Sequence, residues 1–192
     1  MTEVIHIIGN GESRKRVDFN NIDGFKMGCN AAYRDLDIDC LVAVDRRIVE
    51  EAIDNNFSKS IYTRRDWMSS FALYPNVRLL PGLPYTGTLR EDDPWHWGTG
   101  PHACNLAATL KPREVHLWGF DLYGNGDRVN NIYKGTKNYD PVDKNAVDPR
   151  YWIYQIGMCV RSYPNIKWIQ HQLKDWEIPK NWPRVNLEIL EI

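Results

Sequence analysis

No stretch of this chain approaches the ~20 consecutive apolar residues of a bilayer-spanning helix. Its opening, "MTEVIHIIG", carries an acid and a histidine where a secretory leader would place basic residues ahead of a long apolar core. Both absences point to a soluble protein of the cytoplasm. A surplus of one charge is lacking too: 24 basic and 25 acidic residues leave a net charge of -1, too little to draw the chain to nucleic acid or to an anionic membrane. An anionic ligand must then be met by a local site. Cysteine is sparse. Cys29, Cys40, Cys104 and Cys159 form no C-x-x-C pair and lie in or beside apolar runs, which favours buried free thiols in a reducing compartment over disulfides or zinc. No His/Cys/Asp/Glu cluster has metal-ligand spacing, and no G-x-x-x-x-G-K-[ST] is present, so an ordinary P-loop kinase is excluded.

What is present is a succession of short apolar blocks in 192 residues, a length suited to one well-buried domain, 1–192. "VIHIIG" (4–9), "FKMGCN" (25–30), "CLVAVD" (40–45), "SIYTR" (60–64), "VRLLP" (77–81), "EVHLWGFD" (114–121) and "IKWIQH" (166–171) do not alternate, which is the pattern of strands covered on both faces. "RRIVEEAIDNN" (46–56) puts Ile48, Val49, Ala52 and Ile53 on one helical face. "TGPHACNLAATL" (99–110) and "PRYWIYQIGMCVRSY" (149–163) are helical in the same way, each with a proline near its start. The order predicts an α/β, Rossmann-like, doubly wound domain with a mainly parallel sheet of six to seven strands.

Three segments stand outside this alternation. Residues 81–98 and 123–148 follow strand ends and carry Tyr85, Trp95, Trp97, Tyr123 and Tyr133, so they are expected to be mobile lids whose aromatics stack on a ligand. The tail, 174–192, is expected to pack across the domain surface.

In an open parallel sheet the ligand lies beyond the carboxyl ends of the strands, where the strand order reverses. "VIHIIGNGES" runs a buried strand into Gly-Asn-Gly and a serine, a turn through which backbone N–H groups approach a phosphate or sugar closely. On the same rim the order places Asn10, Gly11 and Ser13 after the first strand, Asn30 after the second and Asp45 after the third. Gly119 and Asp121 follow the sixth, and Thr99-Gly100 opens a helix. Together they predict a nucleotide or nucleotide-sugar site. His96, between Trp95 and Trp97 and close to Thr99, is a candidate base; His6 and His116 lie within apolar strands and are expected in the core. Asp45 and Asp121 are the acids that would share Mg²⁺ with a triphosphate, although Asp45 also stands where a helix N-cap belongs.

The motifs "GNGES" (9–13), "GCNAAY" (28–33), "VAVD" (42–45), "GTGPHACNLAATL" (98–110) and "EVHLWGFDLYGNG" (114–126) resemble the successive motifs of bacterial CMP-sialic-acid-dependent sialyltransferases. They also resemble the wider Rossmann-like set that includes archaeal-type hydroxymethylpterin diphosphokinases. The resemblance spans roughly the first two thirds of the chain. It implies that Asn10, Gly11, Ser13 and Asn30 meet the nucleotide phosphate and ribose, that Thr99 and Gly100 present an anion-binding helix start, and that Gly119 to Asp121 contact the nucleotide. It further implies a Tyr123 phenol bonded to the leaving phosphate, with no metal required. Two departures stand out: "NYDPVDKNAVDPRYW" (138–152) lacks the family's histidine base, and "WHWGTG" (95–100) lacks its arginine.

Three functions follow. The first is an inverting, nucleotide-sugar-dependent glycosyltransferase, sialyltransferase-like, acting on an unknown acceptor with no cofactor beyond its nucleotide-sugar co-substrate. The second is an ATP- and Mg²⁺-dependent diphosphotransferase of the pterin type. The third is a nucleotide-binding module without catalysis. Gly11→Val is expected to block the phosphate approach in a folded protein.

Overall fold

A computed structural model describes residues 3–192. All eight of its strands are parallel and form one sheet in the order β5-β4-β3-β2-β1-β6-β7-β8. They are β1 (Val4–Ile8), β2 (Phe25–Cys29), β3 (Cys40–Val42), β4 (Ser60–Thr63), β5 (Val77–Leu79), β6 (Glu114–Trp118), β7 (Lys167–Gln172) and β8 (Leu187–Glu191). Three α-helices, α1 (Arg46–Asp54), α2 (Thr99–Thr109) and α3 (Arg150–Ser162), accompany short 3-10 turns. The chain winds outward from β1 to β5, returns through α2 to lay β6 against the other side of β1, and winds outward again to β8. The order therefore reverses between β1 and β6.

Two differences from the sequence reading are structural. The tail does not merely cross the surface: Leu187–Glu191 adds an eighth strand, registered on β7 from Trp168↔Leu187 to Gln172↔Glu191. The gap between β2 and β3 holds only a 3-10 turn, Asn30–Arg34, because so few residues leave no room for an α-helix and its two connections.

Alternation of strand side chains builds a separate core on each face. Ile5, Ile7, Met27, Val115, Leu117 and Trp168 pack against Ala103, Ala107, Ile156 and Val160 of α2 and α3. Ile8, Leu41, Ala43 and Ile61 pack against Ile48, Val49 and Ala52 of α1. Asp45 caps α1 by accepting from the Arg47 N–H at 3.0 Å, a contact generally worth about 1 kcal/mol. All four cysteines are buried and free, and desolvation pushes the Cys29 and Cys40 thiols up to about 12.

Segment 81–98 leans on α3 and also meets Arg64, just past the end of β4, which donates to the Trp95 carbonyl at 2.9 Å. The Asp92 carboxylate accepts from the Tyr154 hydroxyl at 2.8 Å, and the Gln155 amide donates to the carbonyls of Glu91 and His96 at 3.2 and 3.1 Å. Trp97, expected to stack on a ligand, is 1% exposed and is part of the core. Its indole donates to the Glu91 carbonyl at 2.9 Å. Trp97→Ala should therefore cost about 3–5 kcal/mol in urea unfolding; an unchanged midpoint would show that the ring packs on nothing.

His6, His116 and His171 line up across β1, β6 and β7 on the face opposite α2 and α3. His6 Nδ1 accepts from the Trp118 indole at 3.1 Å while Nε2 donates to the Asp23 carbonyl at 3.0 Å, so its neutral tautomer is fixed. The rings of His171 and Trp118 stack at 3.4 Å, and His116 Nδ1 lies 2.8 Å from His171 Nε2. Burial, reinforced for His171 by its histidine neighbours, lowers His6 to about 4 and His171 to about 3. An unfolded histidine titrates near 6.5. The unfolded chain therefore binds more protons below that pH, and stability should fall progressively from about pH 6.5 to pH 4. Urea midpoints across that range test this; a slope unaltered in His171→Gln would exclude the stacked pair as a source.

Candidate functional site

The carboxyl ends of β1 and β6 approach so closely that side chains are excluded between them. Gly9 N–H donates to the Trp118 carbonyl at 2.7 Å and Gly11 N–H to the Gly119 carbonyl at 2.9 Å. A Cβ on Gly9 would sit 2.7 Å from the Gly119 carbonyl oxygen, and Gly119 itself has φ +65, a backbone form that suits glycine. Beyond this neck opens a cleft of about 180 Å³, continuous with solvent.

Asn10, Gly11, Asn30, Thr99, Gly100, Gly119, Asp121 and Tyr123 all line this cleft. Ser13 stands just behind it. Its N–H donates to Asp121 Oδ2 at 3.0 Å and its hydroxyl to Oδ1, both groups being buried. Thr99 Oγ1 donates to Asn30 Oδ1 at 2.8 Å, which ties the start of α2 to the end of β2. Asn30 has φ 51 and Leu122, between Asp121 and Tyr123, has φ 63. Left-handed backbone at non-glycine residues stores strain and concentrates at functional sites. The Asn10 amide donates to Tyr139 Oη at 3.2 Å, while its Oδ1 is buried without a partner. Burial raises the Tyr123 phenol, assisted by the negative charge of Glu177.

Two predicted site residues lie elsewhere. His96 accepts from Arg90 Nε at 3.2 Å, meets Tyr151 edge-on and does not line the cleft. Asp45 caps α1 and is paired with Arg47 at 2.8 Å. Burial opposes its ionisation, but the Arg47 guanidinium and amide outweigh this and hold its carboxyl below the usual carboxylate range. Asp45 is thus committed to its helix, and it is not set beside Asp121.

The sequence reading missed Trp152, Ile156, Asn130, Asn131 and Val147, which complete the walls. Trp152 had a signal: it opens α3 beyond a long loop, and its indole lies where a Gly98 Cβ would come within 2.9 Å. The asparagines belong to 123–148, which is built into the site wall. Ile132 N–H donates to the Asn10 carbonyl at 2.9 Å, Glu12 N–H to Asn130 Oδ1 at 2.8 Å, and Ala31 N–H to Tyr139 Oη at 3.2 Å. Tyr133, seated between Arg14 and Asp35, is 7% exposed.

No lysine, arginine or histidine lines this cleft. The N–H groups of Gly9, Gly11, Glu12 and Ser13 are spent within the protein, so a phosphate there would be met by the N–H groups that open α2 at Thr99 and Gly100, the positive end of its dipole, and by amide side chains.

The fold and cleft define a doubly wound α/β domain with an open crevice at its switch point. No protein-family model matches the sequence, and no curated protein matches it at the level of sequence. Two solved structures share its fold. One is the sialyltransferase CstII from Campylobacter jejuni in complex with a substrate analogue, cytidine-5'-monophosphate: TM-score 0.53, 16% identity, 99% of this chain and 89% of that one covered. The other is an α-2,3-sialyltransferase from Campylobacter jejuni in its apo form: TM-score 0.56, 14% identity, 97% and 82% covered. The resemblance carried by the sequence motifs therefore extends to the whole three-dimensional arrangement. Among the described residues no helix is long and apolar enough to cross a membrane.

The glycine of the first turn has a different reason from the one its sequence suggests. A Cβ on Gly11 would lie 2.4 Å from Asp121 Cγ, so a side chain there displaces that carboxylate from Ser13. Gly11→Val should then destabilise the fold by about 1–3 kcal/mol, through an inadequately bonded buried carboxylate, as well as closing the cleft. Thermal unfolding checks this. A variant as stable as the parent would mean that the Asp121–Ser13 pair contributes nothing.

Proposed function

We propose that this protein is a nucleotide-sugar-dependent glycosyltransferase of sialyltransferase type, with its donor nucleotide in the cleft between β1 and β6. The observation that carries the reading is the buried, unpartnered Asn10 Oδ1 in a cleft lined by small polar side chains and the start of α2. An acceptor atom in that position calls for a ligand N–H or O–H, as a ribose or sugar hydroxyl supplies. The fold shared with a sialyltransferase that takes cytidine-5'-monophosphate supports the same choice of nucleotide.

In the reaction an acceptor hydroxyl attacks the anomeric carbon from the face opposite the nucleotide, and the bond from that carbon to the phosphate oxygen breaks with inversion. The nucleotide keeps the bonding pair. Tyr123 has no hydrogen-bond partner for its hydroxyl among the described residues, and burial keeps the phenol protonated, so it can donate to the departing phosphate oxygen. The α2 N-terminus stabilises the same developing charge through Thr99 and Gly100. His96, outside the cleft, has no part in this scheme. The diphosphotransferase reading needs Asp45 and Asp121 on one metal ion, and the engagement of Asp45 by Arg47 gives it no support.

Calorimetric titration with CMP in excess EDTA should show binding, and Asn10→Ala should weaken it at least about tenfold, or 1.4 kcal/mol. At 100 times its dissociation constant CMP should add about 2.7 kcal/mol to stability. Binding of ATP only with Mg²⁺, and none of CMP, would replace this proposal with the diphosphotransferase.

A further inference from the structure

Beyond Tyr123 a second solvent-open hollow of about 550 Å³ lies at the carboxyl end of β7. It shares Asp121, Tyr123, Gly124 and Asn130 with the first cleft, so these residues are the partition between the two. Its other walls include Arg16, Gln172, Lys174, Asp175, Trp176 and Glu177. The partition is braced from the far side. Gln170 and Gln172 both donate to the Phe120 carbonyl, at 3.0 and 2.8 Å, and the Trp176 indole donates to the Asp121 carbonyl at 2.8 Å. Trp176 is thereby fixed edge-inward, its half-buried ring centred 6.3 Å from that of Tyr123.

The chemistry of this hollow differs from that of the donor cleft. Arg16 and Lys174 line it together with Asp175 and Glu177, so no single strong charge is favoured. Closely set carboxylates, amides and cations suit a neutral ligand whose hydroxyls both donate and accept. A held indole suits the apolar C–H face that a pyranose presents. Lys174, Asp175 and Glu177 make no ion pair among the described residues, so their charges are free to engage a ligand.

We propose that this second hollow is a sugar subsite that holds the acceptor's terminal pyranose against Trp176, with Asp175 and Glu177 taking its hydroxyls. The acceptor role rests on the donor reading above; the sugar binding does not. With no histidine lining either hollow, the carboxylates on this side are also where the proton of the attacking hydroxyl goes. The new bond joins the acceptor oxygen to the anomeric carbon, the nucleotide leaves with its electron pair, and the proton passes to a carboxylate oxygen.

Saturation-transfer difference NMR with the methyl glycosides of glucose, galactose and N-acetylglucosamine tests the subsite, with CMP affinity measured in parallel by calorimetry. At least one glycoside should receive saturation from the wild-type protein. The double variant Asp175→Asn/Glu177→Gln, altered only at exposed positions, should weaken that glycoside about tenfold while holding CMP within about twofold. CMP binding without any glycoside response, or a response unchanged in the double variant, overturns the subsite. Absence of CMP binding in the wild-type protein overturns the donor reading, and the acceptor role with it, whether or not a glycoside binds.

Discussion

The Asp121 carboxylate is the point on which the site turns. It leaves the end of β6, crosses the reversal of strand order and accepts both donors of Ser13, which follows β1. Hydrogen bonds to a charged acceptor are worth about 1.5–3 kcal/mol each, and a buried carboxylate that loses them keeps its full desolvation cost. The two turns are therefore fixed to each other by a group that neither can release cheaply. The glycines follow from this: Gly11 has no room for a Cβ because the carboxylate is there, and Gly9 has none because the Gly119 carbonyl is. What looks in the sequence like a phosphate-binding turn is first a device for closing β1 on β6, and the cleft is the space left beyond the closure.

The strain in the same segment is held by neighbours that never enter the first cleft. Gly119 and Leu122 both have left-handed backbone, a form that costs a non-glycine residue of order 1–3 kcal/mol and persists only where the surroundings over-determine it. Here they do. Amides of β7 grip the Phe120 carbonyl and the Trp176 indole grips that of Asp121. Tyr123 is thereby set at the mouth of the cleft by contacts made one strand further out.

Much of the fold was legible because strands buried on both faces read as unbroken apolar blocks, and β1 to β7 appear as such. β8 was less so. "NLEILEI" interrupts its apolar residues with two glutamates, Glu188 and Glu191, both exposed on an edge strand, and a proline-containing stretch before it resembles a surface tail. At the site, residues defined by chain order alone came together, since the carboxyl ends of parallel strands share one rim. Residues defined by what their side chains touch did not. Nothing in "PWHWG" distinguishes Trp95, half exposed, from Trp97, which fills the core, and nothing in the run directs His96 towards Tyr151. Asp45 was ambiguous between cap and ligand until its pairing with Arg47 was seen.

The long segment 123–148 is tied to the rest of the domain by specific polar contacts. Three of its side chains are matched by groups on the first half of the chain: Lys134 with Glu12 at 2.7 Å, Asn138 with Glu51 at 2.7 Å, and Tyr133 with Arg14 and Asp35. Glu51, 5% exposed, is itself held by Arg34 and Tyr33. A buried carboxylate of this kind is expensive to uncover, so lifting Asn138 away would leave Glu51 short of a donor in a partly dry setting. Segment 123–148 is best understood as the fourth wall of the cleft. It contributes Asn130, Asn131, Ala146 and Val147 to the first cleft, and Tyr123 and Gly124, with Asn130, stand where the two hollows meet.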